Sequence, residues 1–341
     1  MGAFVKNHSW EVVAAIVAAV LVTCAALFAV GAYGGGPPRA DVPERASLSD
    51  YSWEELSAIS AEVGACPSGE EAARVAARYN LCEDDGSPDP TQFKEITLAD
   101  GRTVRVQLAG VWHDERSDGG KAGLTFVFAD AVGPHAMNHA FDDPEGADAD
   151  STGGWGASDM RAWLESELWY DLPADLRATI VSVQKTSASR VGTGDELAEP
   201  GALAGAASDW ADETSDRLWL LSASELCGEI PENASLGVDA TMVATYAVEG
   251  AQYRLFADAG AKAFAPCPAL VRLPVGEDSP TSWWLRTKTL EFGDGFWLVG
   301  TDGTPLNGLG EDARVVDDPT YAPDELWGPD HPRAVVVGFC L

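Results

Sequence analysis

The chain has 341 residues, 46% of them hydrophobic, and its 54 acidic against 22 basic residues give a formal charge of −32. That apolar content supports a folded core and excludes general disorder. So acidic a surface repels phosphate backbones, which excludes nucleic acid as a partner class, and is read first as a solubility device.

From the amino terminus, residues 1–33 read as a short tail and a membrane anchor. The run Val12–Ala32 holds no charged residue, and only Thr23 and Cys24 interrupt it mildly. As a helix, such a run spans roughly 31 Å, about the hydrocarbon thickness of a bilayer. Trp10 and Tyr33 stand at its ends, where amphipathic rings prefer the headgroup zone. The rival reading is a cleaved signal peptide, since Lys6 precedes the run and small residues end it; the length favours a retained anchor. Lys6 on one side and Arg39 and Arg45 on the other leave the positive-inside count undecided. A short tail before the run and a large domain after it fit a signal anchor in a cell membrane, single-pass, with the C-terminal domain extracytoplasmic.

Residues 34–50 form a linker opened by Gly34-Gly35-Gly36-Pro37-Pro38. Residues 51–90 then predict a helical hairpin. Ser52 with Glu55 and Ser68 with Glu71 are capping-box pairs. Trp53, Leu56, Ile59 and Val63 stripe the first helix; Ala72, Val75, Ala76 and Tyr79 stripe the second. Cys66 and Cys82 flank that second helix, either as a bridge clipping its ends or as two buried thiols. Five cysteines lie outside the anchor, so a monomer cannot pair them all.

Residues 91–341 predict one α+β domain of short strands, interspersed helices and long loops. Alternation around Asp100-Gly101 gives a hairpin: Ile96 and Leu98 before it, Val104, Val106 and Leu108 after it. Leu124, Phe126 and Phe128 form the next strand. Ser158 caps a helix whose buried face is Met160, Trp163, Leu164 and Leu168, with Trp155 ahead of it also expected in the core, and Pro173 opens another with Leu172, Leu176 and Ile180 apolar. Residues 192–209 read as a loop. Leu218–Leu221 and Phe296–Val299 are buried strands, the latter running to an Asp302-Gly303 turn, and Val335–Phe339 closes the chain.

Signatures of known chemistry are missing. There is no Gly-x-Ser-x-Gly elbow, phosphate loop, His-Glu-x-x-His or paired Cys-x-x-Cys. His135 and His139 are spaced to share a zinc ion on a helix, but Gly133, Pro134 and Asn138 make that stretch a loop. His113 beside Asp114 could act as a base beside a carboxylate, against the plainer reading of a strand end feeding a turn. Asp142, Asp143, Asp148 and Asp150 are oxygen ligands suited to calcium, without the spacing of an EF-hand and with a solvated loop as the plainer reading. Trp283, Trp284, Arg286 and Trp297 concentrate aromatic and cationic character where a sugar ring or an anion could bind, although tryptophans mostly fill cores. A permanently charged arginine in a central strand needs a carboxylate, and Glu225 is the expected partner of Arg286. Asn233-Ala234-Ser235 matches a glycosylation triplet.

An ordered set of strings carries a resemblance. It begins at Gly153-Gly154-Trp155-x-x-Ser158-x-Met160-Arg161-x-Trp163-Leu164, Leu172-Pro173, Ile180 and Val183-x-Lys185. Leu218-Trp219-Leu220-Leu221-Ser222-x-x-Glu225-x-x-Gly228 and Glu249-Gly250-x-Gln252-Tyr253 follow. Trp284-Leu285-Arg286-Thr287 and Val337-Gly338-Phe339-Cys340 complete it. Over about residues 93–341 this resembles the DUF6273 domain of bacterial surface and secreted proteins. Glu165 departs from the Asn common in that family after the Trp-Leu pair. By analogy the pattern is similar to the C-type-lectin-like fold of sulfatase-modifying and phage-receptor-binding domains, but the copper-binding cysteine pair of the former has no counterpart here. The resemblance implies no cofactor beyond the calcium reading. The expectation is a membrane-anchored recognition module, bound to the bilayer through residues 12–32, with an envelope glycan or protein as ligand. An exported hydrolase using His113 and a structural envelope component are the alternatives.

Overall fold

The computed structural model describes residues 39–139, 153–189, 211–233, 238–289, 295–307 and 330–341. The apolar stretch Val12–Ala32, the aspartates at 142, 143, 148 and 150, most of the glycosylation triplet and the loop at 192–209 lie outside the described residues. Among the described residues no helix is long and apolar enough to cross a membrane.

Local capping sets the helical pair. Ser52 accepts the Glu55 amide and Glu55 returns its carboxylate to the Ser52 amide, starting α1 (Trp53–Gly64). Ser68 accepts the Glu71 amide at the start of α2 (Gly69–Arg78). The stripe of α1 is buried, and Trp53 packs edge-on to Phe126 and Phe339 with ring centres 5.9 and 6.0 Å apart. At Gly123 the next strand passes so near α1 that a Cβ would stand 2.0 Å from the Ser60 carbonyl oxygen. The Ser60 hydroxyl accepts from the Leu124 amide at 3.0 Å and donates to the carbonyl of Leu341, the last residue. The hairpin therefore shares one core with the sheets, and residues Ala40–Leu341 cluster as one compact unit.

Cys66 and Cys82 are free thiols, so the bridge between them is not formed. The reason is that each sulfur is committed to a different helix. Cys66 donates to the Glu62 carbonyl of α1 at 3.5 Å and Cys82 to the Ala73 carbonyl of α2 at 3.7 Å.

Strands β1 (Lys94–Thr97) and β2 (Thr103–Val111) form the hairpin around Asp100-Gly101, where Gly101 takes the left-handed φ of +87° that the turn requires. With β3 (Leu124–Phe128), β7 (Trp219–Leu220) and β12 (Val337–Cys340) they make a five-stranded sheet in the order β1-β2-β3-β12-β7. All of its pairings are antiparallel, with a bulge in β2 between Leu108 and Gly110. A second sheet, ordered β10-β9-β8-β11-β4, contains β4 (Val132–His135), β8 (Trp283–Lys288), β9 (Phe296–Val299), β10 (Pro305–Leu306) and β11 (Arg333–Val335). β5 (Val183–Ala188) and β6 (Ala211–Asp216) form a separate ribbon. The closing strand expected over Val335–Phe339 is split: Val336 alone separates β11 in one sheet from β12 in the other. That switch ties the two sheets together at the chain end.

The helix capped by Ser158, α3 (Asp159–Trp163), continues as a π turn over Leu164–Leu168. Pro173 precedes α4 (Ala174–Arg177). α5 (Ala223–Cys227), α6 (Ala240–Ala247) and α7 (Arg254–Asp258) lie between β7 and β8 in the chain. The result is an α+β architecture with several sheets.

Candidate functional site

Where the elements converge, the chain buries a chain of charges. β2 ends at Val111, and Trp112 after it, with a φ of +55°, turns the backbone before Asp114. Asp114 is 5% exposed. Its Oδ2 accepts from the Thr125 hydroxyl on β3 at 2.6 Å, and its Oδ1 accepts from Lys185 Nζ on β5 at 2.5 Å. Lys185 is 2% exposed, and its ammonium also donates to Glu225 Oε1 at 2.8 Å and to the Tyr253 hydroxyl at 2.9 Å. The Tyr253 hydroxyl in turn donates to Asp114 at 3.1 and 3.2 Å. Nζ lies 4.1 Å from the centre of the Trp219 ring, within cation–π range.

Glu225 belongs to the capping box of α5, where it accepts from the Ser222 amide at 2.9 Å. Its Oε2 also accepts from Arg286 Nη1, which is the pair expected from the sequence. All five donors of Arg286 are used: Nε to Ser187 Oγ at 3.0 Å, Nη1 to Glu225 and the Leu220 carbonyl, Nη2 to the carbonyls of Thr186 and Glu249. Arg286 has no exposed surface.

Electrostatics follow from the pairing. Burial works to raise the Asp114 carboxyl, yet the Lys185 ammonium and then His113 hold it well below the usual carboxylate range. Burial likewise opposes charge on Glu225, and Arg286 followed by Lys185 overrides it, keeping that carboxyl low. Burial pulls Lys185 down, but Asp114 and Glu225 together raise it. Glu249 behaves differently. Its oxygens accept from the Ala188 amide and the Thr287 hydroxyl, but burial dominates and pushes it up to about 7.

The residues proposed for ligand binding lie inside. Trp283, Trp284, Arg286 and Trp297 have no exposed surface. The indole nitrogens of Trp283 and Trp284 donate to the carbonyls of Leu270 and His135. A buried indole has no free face for a sugar ring, so these side chains pack the core. His113 is half-buried: its ring lies 4.2 Å from the Tyr253 ring, Nε2 is 3.0 Å from the Ala251 carbonyl, and Nδ1 is 3.5 Å from Asp114 Oδ1. The Asp114 carboxylate beside it is already committed to Lys185, Thr125 and Tyr253. His135 and His139 do not converge on one point: His135 Nδ1 faces the Ala136 carbonyl, while His139 Nδ1 meets Asp159 at 2.5 Å. Among the described residues no group of three or more His, Cys, Asp or Glu side chains is placed to hold a metal ion.

Of the expected core residues, Trp155, Met160 and Leu164 are buried, whereas Trp163 is only partly so and stacks on His135 with centroids 4.4 Å apart. Helix geometry is the cause. At the start of the π turn the ring of Trp163 lies over β4 at the margin of the core. Glu165 binds Arg217, accepting from its amide at 3.1 Å and its Nε at 2.9 Å, so it closes the turn between β6 and β7. On the described surface, a cleft of about 290 Å³ is lined by Ala46, Asn80, Glu83, Asp84, Asp89 and Gln92.

Residues 126–314, more than half of the chain, match the family model described as Domain of unknown function (DUF6273). The chain belongs to the DUF6273 family. The match begins inside β3 and ends before β11, so it is narrower than the resemblance over 93–341, and it leaves β1, β2, β11 and β12 outside. The chain shows no match to a curated protein or to a solved structure. Most members of the buried network sit in the strings that resemble DUF6273: Lys185, Glu225, Glu249, Tyr253 and Arg286. The signal that could have found part of the network was charge inside apolar strings: Glu225, Glu249 and Arg286 each interrupt a run that otherwise reads as core, whereas Lys185 stands among the polar residues Gln184, Thr186 and Ser187 and gives no such signal.

Proposed function

We propose that this DUF6273 protein is a membrane-anchored recognition module displayed on the outer face of a bacterial cell membrane, with a C-type-lectin-like order of strands and loops. The observation that carries the reading is the burial of the family strings. Trp155, Trp219, Trp284 and Arg286 of those strings build an interior, which leaves ligand contact to the loops and clefts that the sheets and helices hold in place. Such a division of labour, rigid scaffold and working loops, is the usual one for binding domains. The uncharged stretch Val12–Ala32 and the glycine-proline linker after it support tethering with the compact unit held away from the bilayer.

Two measurements test the reading. Protease added to intact cells should degrade the Ala40–Leu341 unit, and its full protection would overturn the orientation. The same unit, assayed against envelope glycans and peptidoglycan fragments with and without calcium, should bind at least one saturably. Lack of binding to every fraction, with the domain shown to be folded, would overturn recognition in favour of a structural envelope role.

A further inference from the structure

We infer that Lys185 and Asp114 condense into an intramolecular amide bond, with Glu225 moving the protons, so that the mature protein carries a covalent cross-link between the first sheet and the β5-β6 ribbon. The three groups meet with Nζ 2.5 Å from Asp114 Oδ1 and 2.8 Å from Glu225 Oε1. Reacting atoms held this close in a fixed frame have lost the entropy that an intermolecular condensation would spend.

The neighbours assign different roles to the two carboxylates. Glu225 Oε2 is fixed by Arg286, a permanent cation, and by the Ser222 amide. Glu225 therefore keeps a cation beside it after Lys185 gives up a proton, whereas Asp114 loses the one ammonium that pairs with it. Asp114 is thus the electrophile and Glu225, through the Oε1 that Lys185 already touches, is the proton acceptor. Asp114 Oδ2 is held by neutral hydroxyls, Thr125 at 2.6 Å and Tyr253 at 3.2 Å. Donors of that kind polarise a carbonyl and stabilise the oxyanion that forms when an amine adds to it.

The step balances without any further reactant. Nζ passes a proton to Glu225 Oε1 and attacks Cγ of Asp114, forming the C–N bond. Glu225 delivers that proton, and then the second one lost from Nζ, to Oδ1, which leaves as water when the Cγ–Oδ1 bond breaks. Oδ2 remains as the amide oxygen under Thr125 and Tyr253, and Glu225 ends as the carboxylate it began as.

The surroundings favour this outcome over a lasting ion pair. Lys185, Asp114, Glu225 and Tyr253 are all at most 5% exposed, and Trp219 covers Nζ. Two desolvated charges held as a pair pay a large cost that is only partly recovered. Condensation removes one cation and one anion together, and leaves Arg286 with Glu225 as a matched pair. It would also link residues 71 positions apart.

Unreduced, denatured full-length chain digested with trypsin tests the proposal directly. Trypsin does not cut after an acylated lysine. The expected product is Val106–Arg116 joined to Ala178–Arg190, lighter by one water than the two peptides together. Recovery of free Val106–Arg116 and of Ala178–Lys185, cut after Lys185, with no joined species would overturn the cross-link, leaving an ion pair. Glu225→Gln, checked as folded by circular dichroism, should return the free peptides. A folded Glu225→Gln chain that still yields the joined product would overturn Glu225 as the proton carrier. The wild-type digest decides the bond itself whether or not that variant folds.

Discussion

Arg286→Met removes the guanidinium whose five donors are all engaged in the interior. The replacement fills much of the volume, so the loss is electrostatic and hydrogen-bonded more than a cavity effect. It takes the cation from Glu225 Oε2, which keeps the Ser222 amide, and leaves the carbonyls of Leu220, Thr186 and Glu249 each short of a donor. Removing one partner of a buried pair costs roughly 3–5 kcal/mol, because an uncompensated charge stays behind. Three orphaned acceptors at about 1 kcal/mol each place the value toward the upper end of that span. In a unit of this size about 2 °C of melting temperature accompanies each kcal/mol, so a drop on the order of 10 °C is expected. Arg286→Lys keeps the charge but has three donors in place of five, and should fall between the variant and wild type. Thermal and urea unfolding of the Ala40–Leu341 unit, followed by circular dichroism, provides the measurement. A loss under about 1 kcal/mol for Arg286→Met would refute the claim that this arginine organises the interior.

Glu249 supplies a pH signature. Its carboxyl is raised from 4.5 to about 7, chiefly by burial. A folded value above the unfolded one gives stability that is complete below the unfolded value and lost as pH rises through the folded value, here about 3 kcal/mol in all. Glu249→Gln should flatten urea-derived stability across that window, and an unchanged slope would remove Glu249 as its source. Glu225 is held low, so its contribution has the opposite sense and disappears as pH falls through the acid range. Trp155→Ala should cost about 3–5 kcal/mol, since the buried indole also donates to Asp216 at 2.9 Å, whereas the partly exposed Trp163→Ala should cost about half as much; equal losses in unfolding experiments would contradict the placement of Trp163 at the core margin. Thiol titration of the denatured, unreduced Ala40–Leu341 unit should find Cys66, Cys82, Cys227, Cys267 and Cys340 all free, and a deficit of two would show an oxidised pair.

The sequence by itself determined what depends on near neighbours. The Ser52 and Ser68 caps, the Asp100-Gly101 hairpin, the stripe of α1 and the strand at Phe296–Val299 all follow from spacings of two to four residues, and each stands in the structure where the pattern put it. The need of Arg286 for a carboxylate was also legible, because an arginine in an apolar run has few other ways to be buried. What tertiary structure decided is everything set by long-range pairing. β6, Ala211–Asp216, has no apolar alternation, and forms only because β5 supplies its partner. β5 in turn carries Lys185 to Asp114, which no local rule brings together. The split at Val336 arises because the final segment fills an interior place in each sheet, β11 between β8 and β4 and β12 between β3 and β7, although its apolar run reads as one strand. Trp163 and Trp155 look alike in the sequence, yet one stacks on the margin at His135 and the other is sealed against Asp216. Period and capping are properties of a few adjacent residues, whereas burial and charge pairing depend on which distant segments arrive at the same place.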